Sequence, residues 1–515
     1  MKKILLSHSY FYRFDSKQWE MGQPYAPYAT LIVASLLKKN GYEVVFFDTN
    51  LRENVAEIIP FFEKEKPDFL VIFDDSFNYL SKMCLTNMRE ACFEMLALGK
   101  KFGTQNIVCS SDATDHAQEY LQKNADFVLL GEGELTLLEL LNNLTTTPNP
   151  SFKGGELSSH PSQGGAGGGF YDNFSKINGI AFLENNEEDN QKKLQITPKR
   201  EILKDLDSLP MPAWELVDIQ DYRKIWLNKR NYFGVNIATT RGCPYKCNWC
   251  AKPIYGTRYN VRSPRKIVEE IEYLTLTFKV DYFWFADDIF GLKPTWVQEF
   301  RDILKEKNLK IKYKIQSRVD LLLKEDTIKA LAESGLDEVW VGAESGAQTV
   351  LDAMDKGTQV EEIYQATKLL KQNNIKVGFF LQYGYLGETR QNINQTLKMV
   401  ADLLPDEIGI SVSYPLPNTK FYDIVKSQLV EKQNWTDSHD LSMMYKGTFK
   451  TDFYKYLHKY THTFFRKEKS KFLFYHLFKK TNFSYTSKHF IKAIKYPLYI
   501  LADKIGQIRL KRYEV

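Results

Sequence analysis

The chain has little that would hold it in a bilayer or in an oxidising compartment. No run of eighteen apolar residues occurs in its 515 residues. A helix that crosses a membrane needs about 20, so none is expected. The leading segment MKKILLSHSYFYRF has only a short apolar run around Ile4–Leu6. That is too little for the apolar region of a secretory signal and reads as a first strand. Cysteines number six and histidines eight. Cys84, Cys92 and Cys109 are scattered among apolar residues and read as small buried hydrophobes. Without an export signal, structural disulfides are not expected and a cytoplasmic location is.

The composition is otherwise that of a globular protein, 43% hydrophobic and 26% charged. The length suggests roughly two to four domains. Net charge is +5 but uneven. Lys446–Arg512 holds 17 Lys and Arg against 3 Asp and Glu, a surplus of +14, which leaves −9 for the rest.

Residues 1–144 alternate strand and helix signals. KKILLSH, YEVVFF, PDFLVIFDD, QNIVCSS and ADFVLL read as strands, with a helix from about Tyr28 to Lys39 that stops at Asn40–Gly41. Short apolar runs separated by helices imply parallel strands, hence a doubly wound, Rossmann-like α/β sheet. Residues 145–176, rich in Gly, Ser, Thr and Pro, read as a flexible insertion. INGIAFLENNEEDNQKKLQITPK suggests a hairpin with a polar tip, and LDSLPMPAW a connector. The insertion, hairpin and connector together fill 145–231.

From 232 to 425 the alternation resumes. Strands FGVNIATT, DYFWFADD, IKYKIQSRVD, EVWVGAES, KVGFFLQYGY and EIGISVSYPL are separated by helices. One helix opens at Ser263–Pro264, where serine can cap and proline fits the first turn, and another at Pro294. Two short helices follow EVWVGAES, and another helix runs from Glu388 to about Leu403. Six repeats make a partial barrel; eight would close one. The strands end in groups able to do chemistry: the cysteine loop, Asp287 and Asp288, Gln316 and Arg318, Glu344, Gln382 and Tyr383, and Tyr414. Any one of them could merely cap a helix. Six strand ends in succession match the face on which β/α folds build active sites.

The loop TTRGCPYKCNWCAKPIYG places Cys243, Cys247 and Cys250 within eight residues. A structural zinc takes four protein ligands, and the nearest histidines in sequence are His160 and His439. A disulfide would leave an odd thiol. A 4Fe–4S cluster held by three cysteines leaves one iron open to a non-protein ligand.

These residues resemble the radical SAM superfamily, and the layout of residues 1–425 resembles its cobalamin-binding class. The resemblance implies that Cys243, Cys247 and Cys250 hold a 4Fe–4S cluster whose open iron takes S-adenosylmethionine (SAM). One-electron reduction then yields a 5′-deoxyadenosyl radical. Trp249 falls at the family's adenine-side position. WVGAESGAQTVLDAMDKGTQ resembles the stretch whose glutamate meets the SAM ribose or methionyl part, which maps to Glu344 with Ser345 beside it. SRVD resembles the family's third-strand motif, which implies Arg318 as a partner for a carboxylate. WFADDIFG sits where the family binds the SAM amino group, which implies Asp287 and Asp288 as candidates, although the commoner glutamate is missing.

APYATLIVASLLKKNGYEVVFFDTN, ADFVLLGEGE and LDSLPMPAWEL resemble the cobalamin class. Two features depart from it. The segment FDDSFNYLSKM lacks the histidine that binds cobalt in many cobalamin domains. Ser110 and Ser111 stand where a Gly-Gly turn usually lets the backbone approach the nucleotide tail. The GEGE run at Gly131–Glu134 reads as a strand-to-helix turn.

The basic, aromatic-rich region 426–515 reads as helical. Its aromatic spacing suits a core-facing stripe. It also suits contact with an anionic partner, either a lipid surface at the inner membrane face or an acidic substrate; nucleic acid is not expected. The expected activity is a cobalamin-dependent radical SAM methyl transfer to an unactivated carbon of a small-molecule or lipid-like substrate, with a flavodoxin or ferredoxin as electron donor. Cobalamin-independent cyclisation or rearrangement is the alternative. Redox sensing by a non-catalytic iron–sulfur protein is the alternative of another class.

Overall fold

Short apolar strands and amphipathic helices alternate along the chain. A computed structural model describes residues 2–77, 85–146, 174–185, 192–250, 254–432, 434–438, 440–477 and 487–514. Cys84, part of FDDSFNYLSKM, most of the Gly- and Ser-rich insertion and the hairpin tip lie outside the described residues. The chain divides into two compact units. One comprises Met1–Pro244, Lys252–Asp288 and Thr436–His439; the other comprises Tyr245–Ala251, Ile289–Trp435 and Asp440–Val515.

In the first unit, β1 (Lys3–Ser7), β2 (Glu43–Phe47), β3 (Phe69–Phe73), β4 (Gln105–Cys109), β5 (Phe127–Leu129), β6 (Ile180–Asn185) and β7 (Lys192–Ile196) form one sheet. Their order is β2-β1-β3-β4-β5-β6-β7. The first five strands pair in parallel. The hairpin β6–β7 is antiparallel and extends the same sheet beyond β5. The hairpin was legible in the sequence, but its place on the sheet edge was not.

Helix α1 (Tyr28–Lys39) buries nine of its twelve residues and ends at Asn40, before Gly41 at φ +84°. A left-handed residue there favours glycine. Leu5, Leu70, Ile72, Met95, Val108 and Val128 lie in the core between sheet and helices. Cys92 and Cys109 are buried free thiols, as their apolar surroundings suggested. The same unit holds the parallel pair β8 (Gly234–Ile237) and β11 (Tyr282–Phe285), and the short antiparallel pair β9 (Thr240–Arg241) and β10 (Asn260–Val261). Helix α2 (Pro264–Phe278) is capped by Ser263, whose hydroxyl accepts from the Lys266 amide.

In the second unit, β12 (Tyr313–Ser317), β13 (Leu336–Glu344), β14 (Lys376–Tyr383) and β15 (Glu407–Val412) run parallel in sequence order. All six strands expected between 232 and 425 are present, and the fold is α/β with a Rossmann-like sheet and half-barrel repeats. Two details differ. Of the two helices after β13, the second is not short: α3 (Val360–Gln372) has 13 residues and starts at a capping box of Gln359 and Glu362. Helix α4 (Arg390–Leu403) begins after Thr389, whose hydroxyl caps it, so Glu388 lies in the preceding turn. The C-terminal region forms α5 (Thr451–Leu477), α6 (Ser487–Ile494) and α7 (Tyr496–Arg512). Among the described residues no helix is long and apolar enough to cross a membrane.

Candidate functional site

In the first unit the chain leaves β8 through Thr239 and Thr240 and reaches Cys243. Asp287, at the end of β11, binds this exit. Its carboxylate accepts from the Thr239 amide at 2.7 Å, the Thr239 hydroxyl at 2.5 Å and the Thr240 amide at 2.8 Å. Burial raises its pKa to about 6 against those hydrogen bonds. Asp287 therefore ties two neighbouring strand ends together, while Asp288 is exposed.

Arg241, two residues before Cys243, is 3% exposed. It pairs with Glu132 at 3.0 Å and Glu134 at 2.6 Å. Burial opposes its charge, but Glu134, Tyr255 and Glu132 raise its pKa overall. Both glutamates come from the GEGE run, which forms the turn between β5 and the helix Glu134–Thr146. The sequence marks GEGE as a turn but carries no sign that its acids meet the arginine leading the cysteine loop. The turn also lines a cleft of about 300 Å³ with Asp74, Asp75, Ser110, Ser111 and Tyr255. It lies at the C-terminal edge of β3–β5, where open α/β sheets bind ligands.

In the second unit Asn248 pegs the cysteine loop. Its amide donates to Met354 O at 3.0 Å, and its carbonyl accepts from the Phe421 amide at 3.0 Å. Its side chain donates to Ala353 O at 2.7 Å and accepts from Tyr385 Oη at 2.9 Å. A tight turn brings the Cys250 amide 3.3 Å from Cys247 O.

Arg318 follows β12. Its Nε donates to Asp320 at 2.9 Å, and Nη1 lies 3.8 Å from Cys247 Sγ. Nη2 donates to Gly357 O at 3.3 Å, and the guanidinium stacks 3.7 Å from the Tyr245 ring centroid. Glu344 ends β13 at φ +53° and accepts from Lys356 Nζ at 2.8 Å. Both residues are buried. Burial alone would lower the Lys356 pKa, but Glu344 and Cys247 raise it on balance.

The strand makes room for this pair at Gly342. A Cβ there would lie 2.5 Å from both Glu344 Oε1 and Lys356 Nζ. Lys356 was missed in the sequence, where it is one lysine among many. Trp249 Nε1 is buried without a hydrogen-bond partner among the described residues. Ser345 turns its hydroxyl to Thr396 at 3.1 Å and to the Ala347 amide at 3.2 Å.

The second unit thus gathers Cys247, Arg318, Glu344 and Lys356. Other strand-end groups are engaged elsewhere: Gln382 with Ser413 at 2.9 Å, Tyr383 with Thr461 at 3.2 Å and Tyr414 with Asn434 at 2.5 Å. Among the described residues, no three Cys, His, Asp or Glu side chains stand together in a metal-ligand arrangement. Cys243, Cys247 and Cys250 are partly buried.

Residues 237–400 match the Radical SAM superfamily. The chain carries a radical SAM domain, a class that implies a 4Fe–4S cluster and SAM. Among its relatives, an uncharacterized methyltransferase of Pyrococcus horikoshii is 27% identical over 313 residues, 60% of each chain. The anaerobic magnesium-protoporphyrin IX monomethyl ester cyclase of Rubrivivax gelatinosus is 30% identical over 293 residues, 57% of this chain and 47% of the cyclase. The chain thus spans about half the length of these relatives. The solved structure of the cobalamin-dependent SAM radical enzyme OxsB with aqua-cobalamin bound superposes with a TM-score of 0.70 at 15% identity. It covers 99% of this chain and 72% of OxsB, a likeness of fold.

Proposed function

We propose that the chain is a radical SAM enzyme that modifies an unactivated carbon by a cobalamin-dependent methyl transfer. The observation that carries the reading is the C-x3-C-x2-C loop at the end of β8, inside the stretch that matches the superfamily. Cys243, Cys247 and Cys250 would hold the cluster. Their donor set, three thiols and no imidazole, suits iron–sulfur better than zinc. When bound, the cluster and SAM would supply the one-electron cleavage that starts the chemistry.

The chain's own residues have separable tasks. Asn248 fixes the loop. Arg318 and Lys356 set positive charge beside Cys247, each balanced by its own carboxylate, Asp320 or Glu344. Glu344 and Trp249 would meet SAM, the latter through its unpartnered indole N–H. Asp287 would serve by holding the strand end from which the loop departs, and Asp288 and Ser345 would flank the cofactor.

The cleft over β3–β5 is where cobalamin would lie. Gly131 presents bare backbone to it, with nothing closer than 3.9 Å to a Cβ placed there. Among the described residues no imidazole lines it. His8 is buried and committed to Asp48 at 3.0 Å and to Thr49. At about 300 Å³ the cleft would take only part of a corrinoid, held without a histidine on cobalt from the described residues. The domain boundaries at 144, 231 and 425 belong to this reading, as does a flavodoxin or ferredoxin as electron donor.

The test is anaerobic reconstitution. Native protein should gain visible absorbance, a paramagnetic resonance signal that changes on adding SAM, and 5′-deoxyadenosine formation with dithionite. Cys250→Ala should lose the absorbance. A signal indifferent to SAM, with no 5′-deoxyadenosine, would favour redox sensing. Cobalamin titration separates the remaining readings. Binding supports methyl transfer, and failure to bind moves the assay to cyclisation or rearrangement.

A further inference from the structure

The last two helices carry their apolar residues outward. Ile491, Ile494, Leu498, Leu501, Ile505 and Ile508 recur at intervals of three and four, which places them on one helical face. All are exposed, Leu498 to 68% and Leu501 and Ile508 to 59% each. The inward face of α7 is instead Asp503, Gly506 and Leu510. At ~100° per residue the two faces lie on the order of 150° apart.

The orientation is pinned. Asp503 accepts from Tyr460 Oη and from Lys467 Nζ, both of α5, each at 2.9 Å. A Cβ on Gly506 would lie 2.6 Å from the Tyr460 ring, so the bare glycine lets α7 lie close against α5. The helix cannot roll to hide its apolar row without breaking these contacts.

Charge selects what covers the row. Residues 487–514 contain seven Lys and Arg and two acids, Asp503 and Glu514. Both acids are consumed within the fold, Asp503 as above and Glu514 by Arg390 at 3.3 Å. The exposed borders are left to cations such as Lys495, Lys504, Arg509 and Arg512. A second copy of the chain would bring two cationic borders face to face. An anionic lipid surface meets both demands, since acyl chains accept the apolar row and headgroups accept the lysines and arginines.

We propose that α6 and α7 are interfacial helices that seat the protein on an anionic lipid surface. The proposal goes beyond the catalytic reading and needs neither cluster nor turnover, so each can fail without the other. The test is flotation of the full chain with vesicles of phosphatidylcholine alone and of phosphatidylcholine mixed with phosphatidylserine. Binding to the mixed vesicles should be about tenfold tighter or more and should weaken with salt. Leu498→Glu with Leu501→Glu should abolish it while the circular dichroism spectrum stays that of the native protein. Lys495→Glu with Lys504→Glu, on the border of the row, should weaken it independently. Equal binding to both vesicles, or native binding by the row variant, overturns the proposal. So does a dimer that forms without lipid and is lost in that variant.

Discussion

Replacing Glu388 with glutamine should remove a pH dependence that the native protein carries between pH 6 and pH 8. Glu388 is 1% exposed, in the turn that follows β14. One carboxyl oxygen accepts from the Gly384 amide at 2.6 Å, and the other is buried with no partner among the described residues. The phenols of Tyr383, Tyr445 and Tyr454 lie near enough for its charge to raise their pKa values. Burial raises the Glu388 pKa from the ordinary 4.5 to about 8, opposed only in part by the Gly384 hydrogen bond.

The sign follows from proton counting. Between 4.5 and 8 the folded chain holds one proton more than the unfolded chain. Glu388's contribution to stability is therefore complete below pH 4.5 and is lost as pH rises through 8. The slope is about 1.4 kcal/mol per pH unit below pH 7 and flattens towards pH 8, which gives about 2 kcal/mol from pH 6 to pH 8. Glutamine keeps an acceptor for Gly384 and does not titrate. Urea unfolding at the two pH values reads the difference, because the substitution leaves the surface exposed on unfolding nearly unchanged. Native protein should lose about 2 kcal/mol more than Glu388→Gln. Parallel losses in the two proteins would refute the reasoning.

Arg241→Met strands two buried carboxylates and should cost about 3–5 kcal/mol. Adding Glu132→Gln and Glu134→Gln should recover much of that loss in a thermal melt, whereas no recovery would deny the pairing its importance. Gly342→Ala drives a methyl into the Glu344–Lys356 pair. It should lower stability by about 1–3 kcal/mol and lower SAM-induced changes in the cluster's resonance signal, and an unchanged melt would show that the pair moves aside freely.

The strands were legible because each was a short apolar run bounded by helix signals, and the helix starts because Ser263–Pro264 carries cap chemistry. The pairs that shape the site were not. Glu132 and Glu134 meet Arg241 across more than a hundred residues, and nothing in either stretch names the other. Glu344 and Lys356 are only twelve residues apart, but their pairing depends on the bare Cα of Gly342 and on a left-handed turn at Glu344. Both are properties of the folded backbone.

The C-terminal helices show a second kind of limit. Periodicity tells which residues share a face, and α5 buries Phe453, Leu457, Phe465 and Leu473. It does not tell which face turns inward. In α7 the usual rule, apolar side in, is reversed by two residues of little weight in any hydropathy count. Asp503 meets buried Tyr460 and partly buried Lys467 on α5, and glycine at 506 is the only residue type that fits against Tyr460 without displacing it. Together with Leu510 they fix their own face against the fold, and the apolar row is left outside by geometry. An apolar surface held outward in this way, edged by cations whose acids have been spent internally, is a feature of the native state, and its chemistry matches an anionic lipid.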